Sequence, residues 1–353
     1  MSVPFLFWNN SEAMLISEFD YDLPEELIAQ GPLEERSASR MLVVNRSTDT
    51  LSDHVFTGLP SLLRRGDLVV VNNTRVFPAR LLGKSETGAN VEVFLVEERG
   101  SGIWEALARP ARRLRAGKKV VFGTKLWAEV LDRTADGRVV VSFASDGELD
   151  SVIDEIGRTP LPPYIKRHNQ WDHERYQTVY ASERGAIAAP TAGLHFTSQI
   201  FEGVKAAGAG VAEITLHVGY GTFEPVRVDD LTGHTVMAER YSIGESTAKR
   251  LRSAKANGRR IVAIGTTTTR ALESNLGEFG SFTAGSHSAD LTITPGYQFR
   301  AIDALLTNFH LPKSSLLVLT STFGGHELIM RAYRHAVAER YRFYSYGDCM
   351  FVS

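Results

Sequence analysis

Ile261-Val-Ala-Ile-Gly-Thr-Thr-Thr-Thr-Arg270 is the stretch whose reading decides the fold class. The apolar run Arg260–Ile264 predicts a strand, Gly265 a turn, and the hydroxyl run the start of a helix. The same alternation extends on both sides. Ile200–Ala207 predicts a helix stopped by Gly208, and Val211–Leu216 a strand. Ser246–Ala256 predicts a helix with Gly258 behind it, Leu316–Thr320 a strand, and Glu327–Tyr341 a long helix. Strands alternating with helices mean an α/β domain with a parallel or mixed sheet. At the junction itself, free N–H groups and the helix dipole attract an anion. Arg270 would add a bidentate charge. An ordinary helix cap with spare threonines is the plainer alternative. The stretch is not a Walker A loop, which needs a lysine before the Ser/Thr.

Towards the N-terminus the pattern changes. Leu68–Val71, Val91–Val96, Trp104–Ala108, Lys119–Phe122, Leu126–Leu131 and Arg138–Phe143 are short β-type runs. Turn signals at Gly83, Gly88, Gly100-Ser-Gly102, Gly117, Gly123 and Asp136-Gly137 separate them. Short strands without intervening helices predict a small barrel or sandwich. Leu149, Val152, Ile153 and Ile156 then fall at helical spacing, with Gly157 as a stop. Thr159-Pro-Leu-Pro-Pro-Tyr164 is forced to be extended and serves as a connector. Leu23–Gln30 reads as a capped helix and Ser39–Asn45 as a strand, both joining the later part. The expected organisation is therefore a multi-domain α/β protein: residues 19–66 and 150–353 as a mixed-sheet α/β domain, and 67–149 as an inserted β-barrel. Residues 1–18 are expected to be a flexible extension, with Met14 an alternative start.

Composition narrows the class. With 353 residues the chain can bury a sizeable core. A net charge of −2 excludes a uniformly basic nucleic-acid coat, though not a local patch. A single cysteine, Cys349, excludes a disulfide framework and a Cys-based zinc site. No His-x-x-x-His or comparable spacing occurs, so no metal is expected. No apolar run is long enough to span a bilayer, and a cytoplasmic location is expected.

Three further stretches each set a histidine beside glycine, proline or an aromatic at the end of an apolar run. They are Ala189-Pro-Thr-Ala-Gly-Leu-His-Phe-Thr197, Thr215-Leu-His-Val-Gly-Tyr-Gly-Thr-Phe223 and Thr307-Asn-Phe-His-Leu-Pro312. Strand ends are where α/β folds bind ligands. His195 and His217 are the candidates for proton transfer, because imidazole titrates nearest neutrality. Gly193, Gly219 and Gly221 would let backbone approach a ligand. Phe309 would stack on a base or face a cation; a core position is the competing reading. Basic residues cluster at Arg109-Pro-Ala-Arg-Arg-Leu-Arg-Ala-Gly-Lys-Lys119, at Arg75 and Arg80, and at Lys166 and Arg167. If they converge, they would grip an RNA backbone.

Eight ordered motifs carry a resemblance: Asn72-Asn-Thr-Arg-Val-Phe-Pro-Ala-Arg-Leu81, Pro160-Leu-Pro-Pro-Tyr-Ile165, Arg175-Tyr-Gln-Thr-Val-Tyr180, Ala189–Phe196, Thr215–Gly219 with Gly221-Thr-Phe223, Gly265-Thr-Thr267 with Arg270, Thr307–Pro312, and Tyr341-Arg-Phe-Tyr-Ser-Tyr-Gly-Asp348. From about Phe19 to Val352 the chain resembles the S-adenosylmethionine:tRNA ribosyltransferase-isomerases. One stretch departs from that pattern: Asp290–Gly296 carries Thr292 and Thr294 where aromatic side chains are expected. The resemblance implies an α/β domain with an inserted barrel. It also implies transfer of the ribosyl part of S-adenosylmethionine to 7-aminomethyl-7-deazaguanine at the wobble position of tRNA. Epoxyqueuosine would be the product, with adenine and methionine released.

The donor's chemistry sets what the protein must supply. A sulfonium acidifies the adjacent C5′–H, a base removes it, and adenine leaves by elimination. The aminomethyl nitrogen then attacks and the ring contracts to the epoxide. His195 and His217 are expected to be base and acid, in an order the sequence leaves open. Thr191, Gly193, Gly219, Gly221, Thr222, Thr267, Arg270, Phe309 and His310 are expected at the donor. Asn73, Arg75, Arg80, Arg109, Arg112, Arg113, Lys166 and Arg167 are expected at the tRNA. The donor is consumed as a substrate, so no cofactor is expected, and the chain is expected to be a monomer. A methyltransferase would need a Gly-rich loop after an early strand, and a non-catalytic tRNA-binding protein would leave the histidine stretches without a role.

Overall fold

A computed structural model describes residues Met14–Arg167, Asp172–Gly219, Val226 and Val228–Ser353. In chain order, β1 (Arg40–Asn45) and β2 (Thr50–Val55) form a hairpin, followed by the turn α1 (Leu59–Leu62), β3 (Leu68–Asn72) and β4 (Thr74–Val76). Then come β5 (Arg80–Ser85), β6 (Asn90–Gly100), β7 (Ile103–Arg109), β8 (Lys119–Phe122), β9 (Leu126–Arg133) and β10 (Val139–Ser145). The chain continues through α2 (Leu149–Ile156), α3 (Asp172–Arg175), β11 (Glu183–Ala186), α4 (Ser198–Ala206), β12 (Gly210–Leu216), β13 (Glu239–Ile243), α5 (Glu245–Ala256) and β14 (Ile261–Ile264). It ends with α6 (Thr266–Phe279), β15 (Gly285–Ala289), β16 (Ala304–Asn308), α7 (Ser315–Gly324), α8 (His326–Ala338) and β17 (Cys349–Val352).

Nine strands form one mixed sheet in the order β15-β13-β12-β3-β14-β16-β17-β1-β2. The central four, β12, β3, β14 and β16, are parallel. Leu68-Val-Val-Val-Asn72 of β3 is buried throughout, as a parallel strand covered on both faces must be. β17 runs antiparallel to β16 and parallel to β1. The carboxyl ends of the four parallel strands and the starts of β17 and β1 therefore share one sheet edge, where open α/β sheets place ligands.

Strands β5 to β10 close into a six-stranded barrel with its own apolar core, including Val93, Leu95, Trp104, Phe122 and Val141. The expected fold class, a mixed sheet with an inserted barrel, is thus what the chain adopts. Its first expected barrel run is not in the barrel: Leu68–Asn72 is the centre of the large sheet, and Thr74–Val76 pairs with β11. The barrel starts at Arg80, in a strand the sequence hid. Gly83 looks like a turn but sits inside β5, where a Cβ would lie 2.6 Å from the Phe122 ring.

Three local expectations are corrected. Leu316–Thr320 lies in helix α7, which Ser314 caps by accepting from Leu317 N. Leu23–Gln30 holds only a short 3-10 turn, Glu25–Leu27. The segment Met14–Glu18, expected to be flexible, is docked: Ile16 is buried, and its N–H bonds to Asp229 O at 2.9 Å.

Candidate active site

Four strand ends build the site. Asn72 ends β3 and ties it to β12, donating to Leu216 O at 2.9 Å and accepting from Leu216 N at 2.9 Å. His217 follows β12 directly. Gly265, at φ 92, ends β14 and opens α6. Asn308 ends β16, with His310 two residues on.

Two adjoining spaces lie along this edge. The larger, about 1120 Å³ and open to solvent, separates barrel from sheet. Val96, Glu97 and Arg138 line it from the barrel, and His217, Gly219, Thr267 and Arg270 from the sheet side. The smaller, about 590 Å³, is walled by Tyr164, Tyr176, Thr191, Asn308, His310 and Tyr344. Val218, Thr266, Thr267 and Leu316 line both.

His217 is half-buried in the cleft wall. Its Nδ1 lies 2.8 Å from Thr74 Oγ1, and the Thr74 hydroxyl also reaches Glu183 O at 3.4 Å. A hydroxyl has one proton. With that proton directed to the carbonyl, Thr74 accepts from Nδ1–H, and Nε2 carries the free lone pair. Burial, then the neighbouring Arg240, lowers the His217 pKa, so the ring is neutral near pH 7. Gly185, at φ 149, makes room for it: a Cβ there would lie 2.7 Å from the imidazole. Nothing in Glu183-Arg-Gly-Ala186 signals this role, since the contact is between distant segments.

His195 does not share that cleft. It is buried in the 3-10 turn Thr191–His195, with Nδ1 2.9 Å from Ser39 Oγ and Nε2 3.3 Å from Asn308 Nδ2. Burial, then Arg342 and Arg36, pushes its pKa down to about 4. The expectation of two imidazoles facing one cleft is therefore not met among the described residues.

The other expected donor residues divide. Thr191 and His310 line the smaller pocket, Gly219 and Arg270 the cleft, and Thr267 both. The Arg270 guanidinium is already engaged. It pairs with Glu239 at 2.6 Å and donates to the carbonyls of Met237, Ala289 and Leu291, so it clamps the paired ends of β13 and β15 instead of offering a free charge. Phe309 lines the smaller pocket, while its ring is fully buried against Tyr333, Tyr341 and Phe343 as the core reading has it. Gly193 serves packing, since a Cβ would meet the Tyr180 hydroxyl at 2.0 Å. Gly221 and Thr222 lie outside the described residues. Thr292, where an aromatic was expected, lines the cleft and accepts from Val236 N at 3.1 Å.

Of the expected tRNA residues, Arg75, Arg109, Arg112, Lys166 and Arg167 are exposed. Arg80 pairs with Glu92 at 2.7 Å, and Glu92 stands opposite Arg109 across β6 and β7, so Arg80 and Arg109 flank one carboxylate. Arg112 and Arg113 belong to the next turn, Ala111–Arg113. Lys166 pairs with Glu25. Asn73 is not available to RNA: it is buried, bonded to Glu213 at 3.1 Å and to Thr215 at 2.7 Å.

Among the described residues, no group of three or more His, Cys, Asp or Glu could hold a metal ion. No described helix is long and apolar enough to cross a membrane.

The chain resembles known proteins along nearly its whole length. Residues 16–352 match the family model of the queuosine biosynthesis protein. The S-adenosylmethionine:tRNA ribosyltransferase-isomerase of Desulfitobacterium hafniense is 48% identical over 96% of this chain and 100% of its own. That of Natranaerobius thermophilus is 49% identical over 96% of this chain and 99% of its own. The crystal structure of S-adenosylmethionine tRNA ribosyltransferase from Thermotoga maritima, 36% identical, aligns with a TM-score of 0.55 over 96% of this chain and 100% of that one. The chain belongs to the queuosine biosynthesis family of S-adenosylmethionine:tRNA ribosyltransferase-isomerases.

Proposed function

We propose that this chain transfers the ribosyl part of S-adenosylmethionine to 7-aminomethyl-7-deazaguanine at the wobble position of tRNA and isomerises it. Epoxyqueuosine-tRNA, adenine and methionine are the products. Relatives nearly half identical over essentially their full length carry the name of that enzyme. The observation that carries the reading in this chain is the cleft between barrel and sheet, with a neutral imidazole in its wall.

His217 Nε2 is the base that takes the C5′ proton, and Thr74 fixes its tautomer. Glu97, held only loosely by Arg240, brings negative charge to the cleft that receives the sulfonium and the aminomethyl group. Thr191, Gly219, Thr267 and His310 line the donor's path through the shared wall, and Arg270 shapes it by holding the paired ends of β13 and β15. His195 acts through Asn308. The barrel holds the anticodon arm through Arg80, Arg109, Arg112 and Arg113, with phosphate contacts that weaken in salt. Arg75, Lys166 and Arg167 extend the basic surface. The chain works as a cytoplasmic monomer, and no cofactor beyond the consumed donor takes part.

The test is direct. Purified protein is mixed with S-adenosylmethionine and tRNA carrying the aminomethyl base. Adenine and a heavier tRNA should appear together. Release of S-adenosylhomocysteine instead would make the chain a methyltransferase, and tRNA binding without turnover would make it a binding protein.

A further inference from the structure

The smaller pocket differs from the cleft in three respects. Among the described residues no barrel residue lines it, so a nucleotide still attached to RNA held at the barrel reaches the cleft first. No ionised side chain among the described residues lines it either: its polar groups there are tyrosine, threonine and serine hydroxyls, the Asn308 amide and His310. His310 is buried and neutral, with Nε2 2.9 Å from Thr307 Oγ1 and its pKa down at about 3. The pocket therefore suits an uncharged flat group, not an aminomethyl cation. Third, Asn308 is 2% exposed, and its Oδ1 is buried without a hydrogen-bond partner among the described residues. Buried acceptors are almost always paired in a working complex.

The amide cannot simply turn over to satisfy that oxygen. Nδ2 donates to Tyr344 O at 3.1 Å and lies 3.4 Å from Asp348 O and 3.3 Å from His195 Nε2. The His195 end is fixed as well. Ser39 Oγ donates to Arg36 O at 3.3 Å, so it accepts from His195 Nδ1–H, and Nε2 is left to accept from Asn308. The unpaired oxygen wants an N–H donor.

We infer that the smaller pocket holds the adenine of the S-adenosylmethionine donor, with its 6-amino group donating to Asn308 Oδ1, and that His195 is the residue positioning this amide. The tyrosines at positions 164, 176 and 344 give the purine an apolar aromatic wall. The inference rests on the function proposed above and adds where the leaving group sits and what reads it.

The experiment uses the full chain and three free bases as inhibitors of S-adenosylmethionine consumption. Adenine should inhibit competitively with the donor, at least tenfold more strongly than hypoxanthine, whose 6-oxo group opposes Asn308 Oδ1. The ratio should collapse in His195→Leu and survive in His195→Gln, whose carbonyl can still accept from Asn308. Equal inhibition by adenine and hypoxanthine overturns the assignment. So does inhibition by 7-aminomethyl-7-deazaguanine that is competitive with S-adenosylmethionine and not with tRNA. An unchanged ratio in folded His195→Leu overturns the positioning role. None of these outcomes alters whether adenine is released in turnover, so failure here is distinct from failure of the proposed function.

Discussion

His195 Nε2 lies 3.3 Å from Asn308 Nδ2, and His195 Nδ1 lies 2.9 Å from Ser39 Oγ. Both ring nitrogens are thus committed inside the protein. The neutral ring bridges the start of β1 and the end of β16.

That commitment predicts how stability depends on pH. The folded-state pKa values of His195 and His310, about 4 and about 3, lie below the ordinary value of 6.5. The unfolded chain then binds protons that the folded one refuses. The stability these neutral rings supply is present above pH 6.5 and is lost as pH falls, down to about 4 for His195 and about 3 for His310. The limiting slope is about 1.4 kcal/mol per pH unit for each ring. Urea denaturation at pH 7 and pH 5 checks this, and His195→Gln should show a shallower loss than the parent. Equal slopes in the two would contradict it.

Gly185→Ala is expected to act on the active site. Its Cβ would push the His217 ring off Thr74. A displacement of about 1 Å can cost roughly 100-fold in rate. We expect kcat to fall by at least tenfold while the circular dichroism spectrum stays that of the parent. Full kcat would mean that the ring's position is immaterial.

Arg240 lowers the His217 pKa and is paired only loosely with Glu97, at 3.8 Å. A lowered pKa keeps the base neutral at lower pH, so the acid limb of kcat/KM should lie below 6.5. Arg240→Gln should move that limb upward. A limb that stays in place would remove His217 as its origin.

Arg112→Ala should weaken tRNA binding and reduce the slope of log affinity against log salt by about 1. Asn73→Ala should leave that slope alone and lower stability instead, because its side chain bonds only within the protein. Filter binding over a salt series separates the two.

Much of this was legible in the sequence, for physical reasons that can be named. The strand at Ile261–Ile264, the turn at Gly265 and the barrel strands from Trp104 to Phe143 follow from local pattern. Helix α7 was not legible as one, because Leu316-Leu-Val-Leu-Thr320 is short, apolar and β-compatible. Its threonines satisfy themselves inside the helix, Thr320 donating to Leu316 O at 2.8 Å. His217 was found because it ends an apolar run. Thr74, Gly185 and the free oxygen of Asn308 were missed because their roles arise only when segments distant in sequence meet: Thr74 and Asn308 reach partners over a hundred residues away, and Gly185 makes room for His217. Arg270 and Phe309 were singled out by type, yet their side chains are spent on a buried ion pair and an aromatic core.

The central claim is that His217 removes the C5′ proton of the donor. Deuterium exchange at C5′ of S-adenosylmethionine, followed in heavy water with tRNA present, tests it most directly. The parent protein should wash deuterium into C5′, and His217→Gln, folded and still binding donor, should lose that exchange. Exchange at the parental rate in His217→Gln would contradict the account.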